Sequence, residues 1–131
     1  VAPSSVLYLN GTQQSLAVKC HLPLLVRNVR ASHAHWQGHK NAVLEAHWTP
    51  SGEAVVSCSA DKTVRCWDAA GGTQIKRWTE HTGVVNSVRP MHRGPQLFVS
   101  GSDDTTAKLW DVRSKRSSAT LKDKFQVRMC R

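Results

Sequence analysis

Histidine, serine, aspartate and tryptophan recur in this chain at matched spacing. Asp61 to Asp68 reads DKTVRCWD, and Asp104 to Asp111 reads DTTAKLWD. His39 stands 22 positions before Asp61, and His81 stands 23 before Asp104. Ser57 and Ser100 each precede their aspartate by four, while Trp67 and Trp110 follow it by six. Taken singly, Ser57, His39 and Asp61 hold the residue types of a hydrolase triad, in which an imidazole takes a hydroxyl proton beside a carboxylate. A reaction needs one such site, whereas here the trio recurs with the same tryptophan. No Gly-x-Ser-x-Gly elbow is present. Repetition points to architecture.

A metal reading draws on His33, His35 and His39, with Cys58. His33-x-His35 would turn two imidazoles to one side of a strand. No carboxylate or cysteine stands at ligand spacing beside them, so neither a metal nor another cofactor is expected.

The elements that must position these residues follow from the repeat. Asp61 and Asp104 lie 43 apart (104 − 61), as do Trp67 and Trp110. A period of about 40 to 45 residues ending in Trp-Asp marks four-stranded propeller blades. On these residues, with His39 and His81 in the place of a Gly-His pair, the chain resembles the WD-repeat family over about 30–122. The expected fold is all-β, a partial β-propeller of two four-stranded blades plus an incomplete third. Residues 1–29 do not match the repeat and read as a hairpin turned at Asn10-Gly11, or as irregular chain. Residues 30–122 hold the two blades, opening with the outer strand of a preceding one, and 123–131 begin a further blade. Inner strands are expected at Ala42–Trp48 and Val84–Val88. Ala54–Ser59, Thr63–Asp68 and Gln74–Thr79 complete the first unit. Gln96–Ser100, Thr106–Trp110 and Ser118–Lys122 complete the second. Pro and Gly in Thr49-Pro50-Ser51-Gly52 suit a tight turn.

The resemblance implies that each unit's polar residues form one hydrogen-bonded cluster. These are His39, Ser57, Asp61 and Trp67 in the first, and His81, Ser100, Asp104 and Trp110 in the second. The chemistry is consistent: an indole N–H only donates, a hydroxyl accepts and donates, and an imidazole passes the chain to a carboxylate. Glu80 stands where the family has glycine before histidine, so a looser second turn is expected. Trp36 and Trp78 belong to neither cluster, and packing between blades suits them better than stacking on nucleic-acid bases.

The chain has 131 residues, 40% hydrophobic and 21% charged, a globular composition. Two blades leave outer faces uncovered, and the first residue is Val1 rather than methionine. A piece of a longer propeller, folding marginally by itself, is therefore expected. The net charge of +9 favours acidic partners, RNA phosphates among them, although the basic residues are scattered along the sequence. Cys20, Cys58, Cys66 and Cys130 form no CxxC pair, which suits a reducing compartment and small buried side chains. No apolar run reaches the ~18 residues of a membrane span, so no membrane association is expected. The opening segment lacks the basic start of a signal peptide.

A narrower likeness comes from His81-Thr82-Gly83-Val84-Val85-Asn86-Ser87-Val88, Pro90 and Arg93-Gly94-Pro95-Gln96-Leu97. With Gly101-Ser102-Asp103-Asp104, Lys108-Leu109-Trp110-Asp111 and Phe125-Gln126-Val127, these are similar to the spliceosomal branch of the family, found in the U5 small nuclear ribonucleoprotein. That resemblance implies a non-catalytic nuclear scaffold in pre-mRNA splicing. Its partners would be proteins, chiefly the large central splicing factor of the particle, with RNA nearby. Met91, His92 and Arg93 are the candidate partner contacts. The alternative is a cytoplasmic WD-repeat adaptor or ubiquitin-ligase substrate receptor.

Overall fold

The computed structural model describes residues 5–9, 15–20, 34–93 and 96–123. Among them every regular element is a strand. The first blade is β4 (Val43–Trp48), β5 (Ala54–Ser59), β6 (Val64–Asp68) and β7 (Gln74–Trp78). The second is β8 (Val85–Pro90), β9 (Leu97–Ser102), β10 (Thr106–Asp111) and β11 (Ala119–Lys122). Both are antiparallel meanders in chain order. β1 (Ser5–Leu9) and β2 (Ser15–Cys20) pair antiparallel, with Leu9 opposite Leu16. The turn expected at Asn10-Gly11 lies outside the described residues, as do the connector at 21–33 with His33, the Gly94-Pro95 pair, and 124–131.

One pairing goes beyond the sequence reading. β2 also pairs with β3 (Ala34–Gln37), Leu16 opposite Trp36, giving a third sheet ordered β1-β2-β3. Backbone pairing carries this junction, and backbone pairing leaves no side-chain motif to read.

The turns follow from residue type. Gly52 takes φ 74°, a region glycine enters freely, and its N–H donates to Thr49 O at 2.9 Å. The inner strands bulge at matching places, the register shifting between Val43 and Glu45 and again between Val85 and Ser87. β8 runs on to Pro90 and β9 to Ser102, each two residues beyond the expected end. Pro90 sits at the close of its strand, where a missing N–H costs least.

Alternation then decides the packing. Every residue of β5 is buried, so the first blade is covered on both faces. Val55 and Trp67 pack with Trp36 and Val43 on one side. Ala54, Val56, Cys58, Val64 and Cys66 meet Val85, Val88, Phe98 and Trp110 of the second blade on the other. Trp78 crosses to that blade, lying edge-on to Phe98 with centroids 5.0 Å apart. Each buried valine here contributes about 1.5–3 kcal/mol, so the sheet-to-sheet seam is the main apolar stabiliser. Polar links cross it too: at the inner strands Val88 N–H donates to Glu45 Oε2 at 2.9 Å.

Both Asp-turns place their next residue in the left-handed region, Lys62 at φ 69° and Thr105 at φ 68°. A β-branched residue is strained there, a straight-chain lysine less so. Thr105→Asn should therefore raise stability by about 0.5–1 kcal/mol, read as a higher urea midpoint, with a smaller gain for Lys62→Asn. An unchanged or lower midpoint for Thr105→Asn would show that the turn stores no such strain.

Candidate functional site

In each blade the hydroxyl of the second strand stands between an indole and an imidazole. Trp67 Nε1–H donates to Ser57 Oγ at 2.8 Å, Ser57 Oγ lies 2.8 Å from His39 Nε2, and His39 Nδ1 lies 2.9 Å from Asp61 Oδ2. The second blade repeats this: Trp110 Nε1–H to Ser100 Oγ at 2.8 Å, Ser100 to His81 Nε2 at 2.7 Å, and His81 Nδ1 to Asp104 Oδ2 at 2.8 Å. The indole cannot accept and the ionised carboxylate cannot donate, so one proton arrangement satisfies every group. Each serine accepts from tryptophan and donates to Nε2, and the neutral imidazole carries its proton on Nδ1 and donates to aspartate.

The structure thus brings together all eight residues that the sequence grouped, and ties the third strand to the second and to two turns. The aspartates are wrapped further. Asp61 accepts from the Lys40 and Thr63 N–H groups at 2.9 and 3.0 Å and from the Thr63 hydroxyl. Asp104 accepts from the Thr82, Thr106 and Thr106-hydroxyl counterparts. Burial pushes the Asp61 carboxyl up, but these donors and His39 outweigh it and hold the group at about 2. Asp104 is held still lower against the same burial, chiefly by Thr106 and His81. Burial dominates at the imidazoles: it lowers His39 and His81 below their usual value, although the aspartates pull the other way.

Several members were missed by sequence reasoning, yet share the period. Thr63 and Thr106 each follow their aspartate by two, and Ser59 and Ser102 precede it by two. Ser59 Oγ donates to Ala42 O at 2.7 Å and accepts from Asp61 N–H, and Ser102 does the same for Val84 O and Asp104 N–H. These serines pin the Asp-turn to the start of the inner strand.

The expected loosening at Glu80 does not show in the distances, which match those of the first blade. The reason is a substitution of one packing for another. At Gly38 an added Cβ would meet the Arg65 guanidinium at 2.8 Å and the Trp67 ring at 3.0 Å. Lys108 replaces that arginine, and Glu80 uses the space: it accepts from the Ser117 N–H at 2.9 Å and hydroxyl at 2.6 Å, with Lys108 3.5 Å away.

Ser57 and Ser100 are fully buried, so neither hydroxyl is open to a substrate carbon, and each already accepts an indole proton. Trp36 and Trp78 are buried between sheets, Trp78 donating to Ser114 O at 3.2 Å. Among the described residues no group of His, Cys, Asp and Glu is placed to hold a metal ion. His35 belongs to β3 and His33 lies outside the described residues. Cys58 and Cys66 are buried free thiols; burial raises both, Cys66 to about 11, so they pack as small apolar groups. Met91, His92 and Arg93 are exposed at the opposite end of the second blade from its His–Asp turns.

Comparison with known proteins agrees with this arrangement. The family model described as "WD domain, G-beta repeat" matches residues 30–68 and 72–111. The chain is 44% identical over 91 residues to the U5 small nuclear ribonucleoprotein 40 kDa protein of Dictyostelium discoideum, covering 70% of this chain and 26% of that protein. It is 36% identical over 90 residues to pre-mRNA-splicing factor cwf17 of Schizosaccharomyces pombe, covering 69% and 26%. The human U5 small nuclear ribonucleoprotein 40 kDa protein is 48% identical over 60 residues, covering 46% and 17%. The matched stretch thus spans about a quarter of the first two relatives' length.

Ser57→Ala should strand the Trp67 donor and the His39 acceptor and lower stability by about 2–4 kcal/mol in urea unfolding. A loss under about 0.5 kcal/mol would mean the relay is not energetically coupled. Acid acts in the same direction at both groups. The unfolded histidines bind protons first as pH falls below 6.5, so stability from the neutral imidazoles is complete above that and lost as pH falls through their lowered values. The Asp61 contribution is complete above 3.8 and lost as pH falls toward about 2. The urea midpoint should fall from pH 7 to about pH 5 and fall again below about pH 4. A midpoint that rises on acidification would contradict these assignments.

Proposed function

Because the chain belongs to the WD-repeat family, we propose that it is a non-catalytic scaffold for protein–protein interaction, acting with the U5 small nuclear ribonucleoprotein in pre-mRNA splicing in the nucleus. The observation that carries this is the likeness over 91 residues to a protein named for the U5 particle, supported by a second relative named as a splicing factor. The geometry supports the non-catalytic part. Among the described residues the repeated relay is internal, and each of its groups is already hydrogen-bonded within the blade. What the blades offer outward is a set of edge loops on a stiff support. Rigid loops dock partners with little ordering cost.

Met91, His92 and Arg93 are the proposed contacts, and the large central protein of the particle is the proposed partner. Met91 is 44% exposed at the close of β8, and its N–H is fixed to Leu97 O at 2.9 Å. An adaptable apolar side chain between cationic neighbours suits a protein surface.

The test is recovery of splicing proteins from nuclear extract on the immobilised chain, beside a full-length relative. Recovery of U5 proteins is expected, with a loss of about tenfold for Met91→Ala/His92→Ala/Arg93→Ala at unchanged urea midpoint. Recovery by the full-length relative but none by this chain would count against the reading.

A further inference from the structure

Folding gathers charges that the sequence scatters. Ala69 N–H donates to Glu53 O, and Val112 N–H donates to Gln96 O, so in each blade the loop after the third strand lies beside the loop after the first. The two blades share this backbone link and differ in charge. In the first, 49–53 and 68–73 carry Glu53 and Asp68 and no lysine or arginine. In the second, the same end carries Arg93, Arg113, Lys115 and Arg116, all exposed. The outer strand of the first blade adds one more: Lys76 Nζ donates to Ser114 O at 3.1 Å.

One carboxylate offsets part of this group: Asp111 pairs with Arg113, whose Nη2 lies 3.0 Å from its Oδ2. Glu80 is taken by Ser117 and Lys108, and Lys115 and Arg116 stay exposed. The His–Asp end differs again: Lys40, Lys62 and Lys122 share it with Asp61, Asp103, Asp104 and Asp123, a balanced set. The blade repeat needs no cation at 113, 115 or 116, since the matching positions of the first blade hold Ala70, Gly72 and Thr73.

We infer that this rim, formed by Lys76, Arg113, Lys115 and Arg116, binds the phosphate backbone of RNA. Protein interfaces have an apolar, aromatic centre and are depleted of lysine. Residues 113–117 supply no apolar side chain. Guanidinium forks and ammonium groups spaced along an edge suit a polymer that carries a charge on every unit. Each Trp and Phe ring with described burial is buried or half-buried. Among the described residues bases therefore find no fully exposed aromatic ring, and binding reads the backbone with little sequence preference.

Fluorescence anisotropy of a labelled oligouridylate of about 15 nucleotides against the whole chain, over a KCl series, tests this. Binding should weaken linearly in log–log form. Arg113→Gln/Lys115→Gln/Arg116→Gln should reduce the slope by about 2 and weaken binding roughly tenfold or more at low salt. Lys40→Gln/Lys62→Gln/Lys122→Gln removes the same charge from the other end and should stay within about twofold of wild type. All six side chains are exposed, and equal urea midpoints would show that both variants fold. Equal losses in the two variants would reduce the effect to net charge and overturn the site. Absence of salt-dependent binding would overturn it as well. Polyglutamate binding this rim more tightly than the oligouridylate, with the same loss in the first variant, would replace RNA by an acidic protein segment.

Discussion

A buried serine hydroxyl with a donor on one side and an acceptor on the other sets the terms for each blade. Ser57 and Ser100 have no exposed surface. Buried polar groups are costly unless paired, and here the pairing runs one way, from indole to hydroxyl to imidazole to carboxylate. Each step joins a different part of the blade. The tryptophan belongs to the third strand, the serine to the second, the histidine to the turn before the first, and the aspartate to the turn between second and third. Losing any member leaves a buried neighbour unpaired. The blade strands are only four to six residues long, so backbone ladders alone give each sheet few bonds. The relay supplies cross-links that do not depend on strand length.

The apolar packing builds on that frame. With the relay occupying one side of each sheet, Val56, Cys58, Val64 and Cys66 turn to the other and meet Val85 and Val88 of the next blade. The bulges at Leu44 and Asn86 fall at the same place in the two inner strands, and Glu45 on one reaches the backbone of the other. Blade and seam are therefore coupled: a shift in the inner strand would disturb both the Asp-turn held by Ser59 and the Glu45 bridge.

Much of this was legible because it repeats. A matched set at spacing 42 or 43 marked the blades, and the turn residues Pro50, Gly52, Gly71 and Gly72 marked their ends. Ser59, Thr63 and their counterparts carry the same period, but serine and threonine are common in strands and turns, so their type gave no warning. The pairing of β2 with β3 was hidden because it is written in backbone bonds. Glu80 was read as a defect because its compensation by Ser117 lies 37 positions away. The basic rim was hidden for a similar reason: Lys76 and the 113–116 loop are far apart along the chain, and adjacency came only with folding. Architecture sits in the residues the blades share, and specificity in those they do not.

The direction of the relay is the claim on which the rest depends, and the ring-nitrogen chemical shifts of His39 and His81 report it directly. In protein labelled with nitrogen-15 at neutral pH, both imidazoles should be neutral with the proton on Nδ1 and a bare Nε2 facing serine. A proton on Nε2, or a charged imidazolium in the folded protein at that pH, would contradict the account.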